Sequence, residues 1–386
     1  MSINTGFPLN AGRRKTLGWM AACAAGAGLF SVARAANNPL VIGQVAPFTG
    51  AQAVTGKAIH AGIKLYFDAV NAKGGVNGRP LKLVTRDDGQ KPEETVRLAR
   101  DIWTADSPIA LMGTVGTTNL DALDKDGLLR SARLSMVGPS SGASSVVLAP
   151  NVHLVKASYH DEVAHLFKQL SANGLKRVAM LYQDDAFGQD VIAGAREAAQ
   201  KFGVELAVLS GYPRNTVAID KAVTEIAAAN VQAVFLASST APAIAFVRKY
   251  AAAGGKATLY GISVIDTDAL LSELGPDLAR GYAFSVVTPL AQKSNLPVVR
   301  EYLQLRENAR DADIRSRSLE GFIGAKALVR VLQGVNDPTP AKVTEALNAA
   351  RSVDVGGFVL DFSDAKRAAS RYVDFAMFGA GGRIFQ

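Results

Sequence analysis

The chain has 386 residues, of which 48% are apolar, 42 are Lys or Arg, 34 are Asp or Glu, and one is Cys. This length and composition exclude a disordered or fibrous chain and predict two globular lobes with sizeable cores. The formal charge of +8 includes four basic residues and no acid within residues 1–35, so the other 351 residues carry +4, a balance that argues against a nucleic-acid partner.

The first 35 residues have the pattern of an export signal. Residues 13–15 are Arg-Arg-Lys and precede an apolar stretch over residues 17–32, which ends in the Ala-Arg-Ala of residues 33–35. This pattern predicts a signal peptide over residues 1–35 that is cleaved on secretion out of the cytoplasm. A membrane anchor is the alternative, but the apolar run is shorter than the roughly 18 to 20 residues that span a bilayer. The arginine pair leaves open whether the signal is of the twin-arginine type.

The single cysteine, Cys23, lies inside this predicted signal. Residues 20–23 faintly resemble a lipoprotein cleavage box, but the apolar stretch before them is short. Cleavage after residue 35 removes Cys23, so we expect a mature chain with neither a disulfide nor a thiol nucleophile.

Apolar periodicity predicts alternating strands and helices in the first half of the mature chain. Strands are expected at residues 40–45, 81–85, 109–112 and 134–137. Three helices are expected between these strands. The first carries an apolar face made of Ile59, Ile63, Tyr66, Phe67 and Val70. The second begins with Pro92-Glu93-Glu94, and the third covers residues 120–132. This order demands a parallel sheet with right-handed crossovers.

The alternation restarts in the second half, after a helix over residues 161–172. Strands are expected at residues 178–182, 204–209, 233–237 and 258–262, with helices that end near residue 201 and that cover residues 219–229 and 243–252. The predicted fold class is therefore α/β, with two doubly wound, Rossmann-like lobes built on parallel sheets. In such sheets, ligands bind beyond the carboxyl ends of the strands.

Two loops that follow predicted strands are rich in hydroxyl groups and poor in charge. Residues 113–119 read Gly-Thr-Val-Gly-Thr-Thr-Asn, and residues 138–142 read Gly-Pro-Ser-Ser-Gly. Hydroxyls and helix-start amides donate hydrogen bonds to an anion without adding a fixed charge, each worth about 1.5–3 kcal/mol. Thr118 and Asn119 alternatively only cap the next helix. Two such loops on neighbouring strands favour a shared carboxylate site.

Five motifs carry a family resemblance: IGQVAPFTG at residues 42–50, NAKGGVNGR at 71–79, Asp87-Asp88 with Pro92, the loop at 113–119, and YQDDAFG at 182–188. From about residue 40 to the C-terminus, the chain resembles the periplasmic solute-binding proteins of the leucine/isoleucine/valine type, which serve ATP-driven (ABC) importers. The resemblance implies two lobes joined by a three-strand hinge, which close on a ligand in the cleft. The expected boundaries are residues 39–157 plus 286–365 for the N-terminal lobe and residues 158–285 plus 366–386 for the C-terminal lobe.

The resemblance also implies where the ligand binds. Family members hold a ligand carboxylate with a hydroxyl at the position of Thr117 and with the loop that matches residues 140–142, and an aromatic at the position of Phe187 closes on the ligand. Their acidic partners for a ligand ammonium fall near Tyr159 and Ser263, which are not acidic. The predicted ligand-binding residues are Phe48, Thr55, Gly116, Thr117, Thr118, Ser140, Ser141, Tyr159, Phe187 and Ser263.

The absence of acids at Tyr159 and Ser263 bears on which class of ligand the cleft can hold. A buried ammonium without a carboxylate partner costs several kcal/mol. The sequence therefore predicts an organic or aromatic acid as ligand and disfavours an α-amino acid. Asp161, Asp185 and Asp266 remain as alternative partners for an ammonium.

Two sequence patterns resemble enzyme motifs, but each lacks features that its motif requires. Residues 138–142 match the G-x-S-x-G nucleophile elbow, but the histidines that follow, His153, His160 and His165, lie within 13 residues of each other beside the lobe junction. The segment from His160 to His165 has the wrong order for H-E-x-x-H and is expected to be a solvated helix start. We expect no enzymatic activity, no cofactor and no metal.

The export signal and the family resemblance together imply a monomeric solute-binding component of an ABC transporter, located in the periplasm. Its lobes would close on a small carboxylate-bearing solute, and an inner-membrane permease would recognise the closed form. A ligand-sensing or regulatory protein of the same fold is the alternative.

Overall fold

The computed structural model describes residues 38–386, so the predicted signal peptide and Cys23 lie outside the described residues. Its strands are β1 (Leu40–Ala46), β2 (Leu81–Asp87), β3 (Ala110–Met112), β4 (Met136–Val137), β5 (Val152–His153), β6 (Arg177–Asp184), β7 (Glu205–Pro213), β8 (Ala233–Ala237), β9 (Thr258–Gly261), β10 (Ala283–Val286), β11 (Val353–Asp354), β12 (Val359–Leu360), β13 (Asp374–Phe378) and β14 (Ile384–Phe385).

The helices alternate with these strands over most of the chain. They are α1 (Ala53–Ala72), α2 (Pro92–Asp106), α3 (Thr117–Asp126), α4 (Leu128–Ser131), α5 (Ser144–Val147), α6 (Tyr159–Ala172), α7 (Ala186–Phe202), α8 (Asp220–Ala228), α9 (Thr240–Ala252), α10 (Thr267–Ala279), α11 (Pro297–Ala309), α12 (Ser318–Leu332) and α13 (Pro340–Ala349). None of the helices within residues 38–386 is long and apolar enough to span a membrane.

Two sheets define two lobes. The first lobe is built on a five-stranded sheet of order β2-β1-β3-β4-β5, in which every neighbouring pair is parallel. The second lobe is built on a seven-stranded sheet of order β14-β13-β10-β9-β8-β6-β7. The predicted fold class, α/β with two doubly wound lobes, is confirmed.

The second sheet is not wholly parallel. Strands β13 and β14 join its edge in antiparallel pairing, whereas the pairs among β6 to β10 are parallel. The chain reaches β13 from the first lobe and not through a β-α-β crossover, so the handedness rule that imposes parallel pairing does not apply to it.

One predicted helix is divided in two. The expected helix over residues 120–132 ends as α3 at Asp126 and resumes as α4, because Gly127 between them has a left-handed φ of +81°. Helix α3 also begins at Thr117, three residues earlier than predicted. Thr117 and Thr118 consequently lie in the first turn of a helix.

The chain passes between the lobes three times. These passages follow β5, follow β10 and precede β13. The boundaries at residues 158, 286 and 366 stay a prediction, because a change of sheet does not locate a lobe boundary to the residue.

Helix α12 is anchored in the first lobe by close packing on α1. A Cβ atom at Gly62 would overlap the carbonyl oxygen of Ser318, and one at Gly321 would overlap that of Ile59. The two helix backbones therefore touch, and this contact fixes the position of Arg317 and Glu320 at the start of α12.

The buried His153 predicts a pH dependence of stability. It lies on β5, with Nε2 3.1 Å from Ser135 Oγ and its ring 5.7 Å from that of Phe362. Burial lowers the pKa of His153 from 6.5 to about 4. Between these values the unfolded chain binds a proton that the folded chain excludes, so the free energy of unfolding decreases as the pH falls from 6.5 to 4, by at most about 1.4 kcal/mol per pH unit.

Urea denaturation across this pH range measures the effect. His153→Gln is the matched variant, because Gln retains a polar side chain opposite Ser135 and does not titrate. We expect a shallower pH dependence in His153→Gln than in the wild-type chain, and equal slopes would contradict the assignment.

Candidate ligand-binding cleft

The two hydroxyl-rich loops meet at the carboxyl edge of the first sheet. Val115 and Ser140 form a parallel β-bridge, and the hydroxyls of Thr117 and Ser141 lie 2.8 Å apart. Gly116 has a φ of +99°, and a Cβ atom there would overlap the side-chain amide of Gln90. The glycine thus allows the turn that starts α3, whose first amides have no acceptor four residues earlier within the helix.

The opposite wall comes from the second lobe. Tyr159 begins α6 and Phe187 lies in the first turn of α7, with ring centroids 5.2 Å apart in an edge-to-face arrangement. Burial raises the pKa of Tyr159, so its phenol is protonated at neutral pH. The two rings form a wall that is apolar in its body.

A cavity lies between these walls. Of the predicted binding residues, it is lined by Thr55, Gly116, Thr117, Thr118, Ser140, Tyr159 and Phe187. Ser141 lies behind the wall and is hydrogen-bonded to Thr117. The structure thus brings eight of the ten predicted residues to one cleft, and their contact with a ligand stays a prediction.

Phe48 and Ser263 do not line this cleft. The backbone amide of Phe48 donates to Asp87 Oδ1 at 2.9 Å, and its ring packs 5.4 Å from that of His60, in a separate depression. Ser263 donates from its backbone and its hydroxyl to the carboxylate of Glu162, at 2.9 and 2.8 Å. These contacts engage both residues outside the cleft in this conformation, and their contact with a ligand stays a prediction.

An ion pair that the sequence did not predict also lines the cleft. Arg214, on the loop after β7, lies 3.1 Å through its Nε from Asp185 Oδ2. Its Nη2 donates across the cleft to the carbonyl oxygen of Gln90 at 2.8 Å and to Asn119 Oδ1 at 2.6 Å. Arg214 follows a strand end, so the rule that ligands bind beyond carboxyl ends was the available signal for it.

Asp185 has little capacity left for a ligand. It accepts hydrogen bonds from Phe187 N, Gly188 N, Gln183 Nε2 and Thr118 Oγ1, in addition to its pairing with Arg214. Two carboxylate oxygens offer about four lone-pair sites, and these partners occupy them.

A buried ionic network lies beside the cleft, where the sequence predicted little charge. Lys156 and Glu162 are fully buried, and Lys156 Nζ lies 3.7 Å from Glu162 Oε1. Arg317 and Glu320, 5% and 3% exposed, pair at 3.1 Å. The expectation that Glu162 lies on a solvated helix start was therefore wrong, because Glu162 bonds Ser263 and Ser285 inside the protein.

The hydrolase pattern does not assemble into a catalytic triad. The hydroxyl oxygen of Ser140 accepts a hydrogen bond from Arg317 Nη2 at 2.6 Å. His153 lies opposite Ser135, and His160 lies within 4 Å of Asp190 and Glu197. No histidine among the described residues is paired with Ser140, so none of them is placed to act as its general base.

Comparisons with known proteins agree with this geometry. A model of the periplasmic binding protein family matches residues 39–383. The chain belongs to this family. The structure is similar to the crystal structure of a substrate-binding periplasmic protein from Ralstonia solanacearum, with a TM-score of 0.87 and 42% identity, covering 90% of this chain and 99% of that chain.

Two relatives known from their sequences are more distant. An amino acid binding protein of Pseudomonas aeruginosa is 24% identical, over 80% of this chain and 82% of its own length. The Leu/Ile/Val-binding protein homolog 8 of Brucella abortus is 24% identical, over 89% of this chain and 86% of its own length. The family assignment made from the sequence is confirmed, and this family is periplasmic.

Because the Lys156–Glu162 pair is buried, we expect its removal to destabilise the protein more than the removal of an exposed ion pair does. Lys156→Met removes one member of a buried ion pair and leaves Glu162 charged in the interior, so we expect the free energy of unfolding to decrease by about 3 kcal/mol. The matched control is Lys64→Met, in an exposed pair with Asp68, which should change stability little. Equal effects of the two substitutions in urea denaturation would show that the buried pair is not formed.

Proposed function

We propose that this protein is the solute-binding component of an ABC importer and that its solute is a small organic or aromatic acid. The observation that carries the proposal is a cleft with several hydrogen-bond donors for a carboxylate whose only acid, among the described residues that line it, is already engaged. Such a site favours an anion over a zwitterion.

The donors for the carboxylate come from the first lobe. Thr117 and Thr118 begin α3 and line the cleft, and the positive end of the helix dipole adds to the attraction of the first helical amides for an anion. Ser140 adds a hydroxyl whose oxygen already accepts from Arg317, so its proton is free to be donated to a ligand.

The cleft offers an ammonium no free carboxylate. Asp185 is engaged by five polar groups, as described above. Asp161 caps α6 through Ser158, and Asp266 caps α10 through Ala269 N, and neither lines the cleft. The three acids that remained as alternatives from the sequence therefore do not supply an ammonium partner in this conformation.

The fold itself does not decide between the two ligand classes. A solute-binding protein of R. palustris with this fold holds benzoate, and a branched-chain amino acid transporter protein of Thermus thermophilus holds valine, at 20% and 19% identity to this chain. The choice rests on this chain's own residues. The aromatic pair Tyr159–Phe187 and the absence of a free acid in the cleft favour the organic acid.

The proposed route of the protein follows from its family and from its first 35 residues. The predicted signal peptide would direct export to the periplasm, and cleavage would release a soluble monomer. Ligand contacts that span both lobes would favour the closed form, and an inner-membrane permease would bind that form and receive the solute.

A thermal-shift screen tests the ligand class. We expect benzoate and related aromatic or aliphatic carboxylates to raise the melting temperature of the protein, because they bind the native state only. Leucine, valine and other α-amino acids should have no effect. Stabilisation by amino acids without any response to simple carboxylates would reject the proposal.

A matched pair of variants tests whether the stabilising acid binds in the cleft. Thr117→Val preserves the shape of the side chain and removes a donor to the carboxylate, so the affinity for the stabilising acid should fall by roughly 10- to 100-fold. Thr104→Val, on the exposed face of α2, is the control and should bind as the wild type does.

A further inference from the structure

One ion pair carries the charge of the ligand-binding cleft. Among the described residues that line the cleft, only Asp185 and Arg214 are charged, and Arg214 Nε lies 3.1 Å from Asp185 Oδ2. Their side chains are 9% and 17% exposed, so salt screens this pair less than it screens an ion pair on the surface. The net charge that a ligand meets in the cleft therefore depends on whether the pair is complete.

The other hydrogen-bond partners of Asp185 are neutral. Its Oδ1 accepts from two backbone amides of α7, and its Oδ2 accepts from Gln183 Nε2 at 2.7 Å and from Thr118 Oγ1 at 3.2 Å. Neutral donors satisfy the lone pairs of a carboxylate but do not cancel its charge. Without the guanidinium of Arg214, the cleft would thus keep an uncompensated negative charge in its wall.

The same holds for Arg214 in reverse. Its Nη2 donates to the carbonyl oxygen of Gln90 and to the side-chain oxygen of Asn119, and neither acceptor is charged. Within the described residues, no carboxylate other than that of Asp185 lies within 4.0 Å of the guanidinium. Without Asp185, the cleft would present an uncompensated positive charge to the ligand.

The charged groups beside the cleft do not alter this balance. Arg317 donates to Ser140 and pairs with Glu320 at 3.1 Å, and Lys156 Nζ lies 3.7 Å from Glu162 Oε1. None of these four charged residues lines the cleft, and each has a partner of opposite charge. The charge that faces the ligand therefore comes from Asp185 and Arg214.

We propose that Arg214 is the specificity-determining residue of the cleft: it holds Asp185 in an ion pair and thereby excludes solutes that carry an ammonium group. This inference rests on the proposed function and names the side chain that sets its ligand class. Specificity is a difference between two affinities, and an acid that is already paired lowers the affinity for an ammonium without weakening the contacts of a carboxylate. Neutralising Arg214 shifts the cleft toward zwitterions, and neutralising Asp185 shifts it further toward anions.

Calorimetric titration with leucine and 4-methylpentanoate tests the proposal, because the two probes differ only in the ammonium group. The wild-type chain should prefer 4-methylpentanoate. Arg214→Met should increase the affinity for leucine roughly 10-fold or more and decrease the affinity for 4-methylpentanoate, since an unpaired carboxylate attracts the ammonium and repels an anion. No gain in leucine affinity would overturn the proposal.

Two further substitutions distinguish charge selection from a structural role. Arg214→Lys keeps a positive charge beside Asp185 and should retain most of the wild-type preference. Arg248→Met removes an arginine that is paired with Glu273 on the surface, and it should bind both probes as the wild type does. If Arg214 only held the lobes together, Arg214→Met would weaken both probes by the same factor, and that result would contradict the proposal.

Asp185→Asn tests the other half of the pair. Asn retains a side-chain oxygen that can cap α7 and removes the charge, so this variant keeps the proposal testable even where Arg214→Met does not fold. We expect the affinity for 4-methylpentanoate to increase roughly 10-fold, because Arg214 becomes an unpaired cation in the wall, and the affinity for leucine to increase less. An equal change for both probes would count against the proposal.

The proposed function and the role of Arg214 fail separately in this experiment. A wild-type preference for leucine would reject the proposed ligand class, whereas the role of Arg214 is decided by how the substitutions change the preference. A wild-type preference for 4-methylpentanoate that stays unchanged in Arg214→Met and Asp185→Asn would keep the proposed function and overturn the role of Arg214.

Discussion

The ion pair between Asp185 and Arg214 is the interaction on which the cleft depends. Asp185 caps α7 and so fixes Phe187 in the first turn of that helix. Arg214 extends from the second lobe to the carbonyl of Gln90 and to Asn119 in the first lobe, while Thr118 donates back to Asp185. These bonds hold the hydroxyl-rich loops opposite the aromatic wall. They also occupy the carboxylate of Asp185, which would otherwise be free to bind a ligand ammonium.

The buried network beside the cleft places a related constraint on the hinge. Lys156 follows β5, Glu162 lies on α6 of the second lobe, and Arg317 precedes α12 of the first lobe, so the network ties segments of both lobes together. Charged groups of this kind are costly to bury and are tolerated because each has a partner of opposite charge. Within the described residues, two single atoms of this network, Arg317 Nε and Glu320 Oε1, are buried without a hydrogen-bond partner.

Local patterns predicted the fold and part of the cleft. Apolar runs and helical spacing located most of the strands and helices between residues 40 and 262. The expected adjacency of the strands now labelled β3 and β4 predicted a shared site for their two loops, and the structure places Thr117 and Ser141 of these loops 2.8 Å apart. The charged contacts were not predictable in this way. Lys156 and Ser263, or Ser140 and Arg317, are separated by 107 and 177 residues, and charged side chains in a sequence ordinarily indicate exposed surface. The antiparallel β13 was missed because no crossover helix leads to it.

The central claim is that the cleft binds a carboxylate that has no ammonium group. The most direct test is a crystal structure of the protein as purified, with mass spectrometry of the molecule that co-purifies with it. The account predicts an organic or aromatic acid whose carboxylate contacts Thr117 and the first amides of α3 and whose body packs against Tyr159 and Phe187. An α-amino acid in the cleft, with its ammonium bound to Asp185 and Arg214 displaced, would contradict the account.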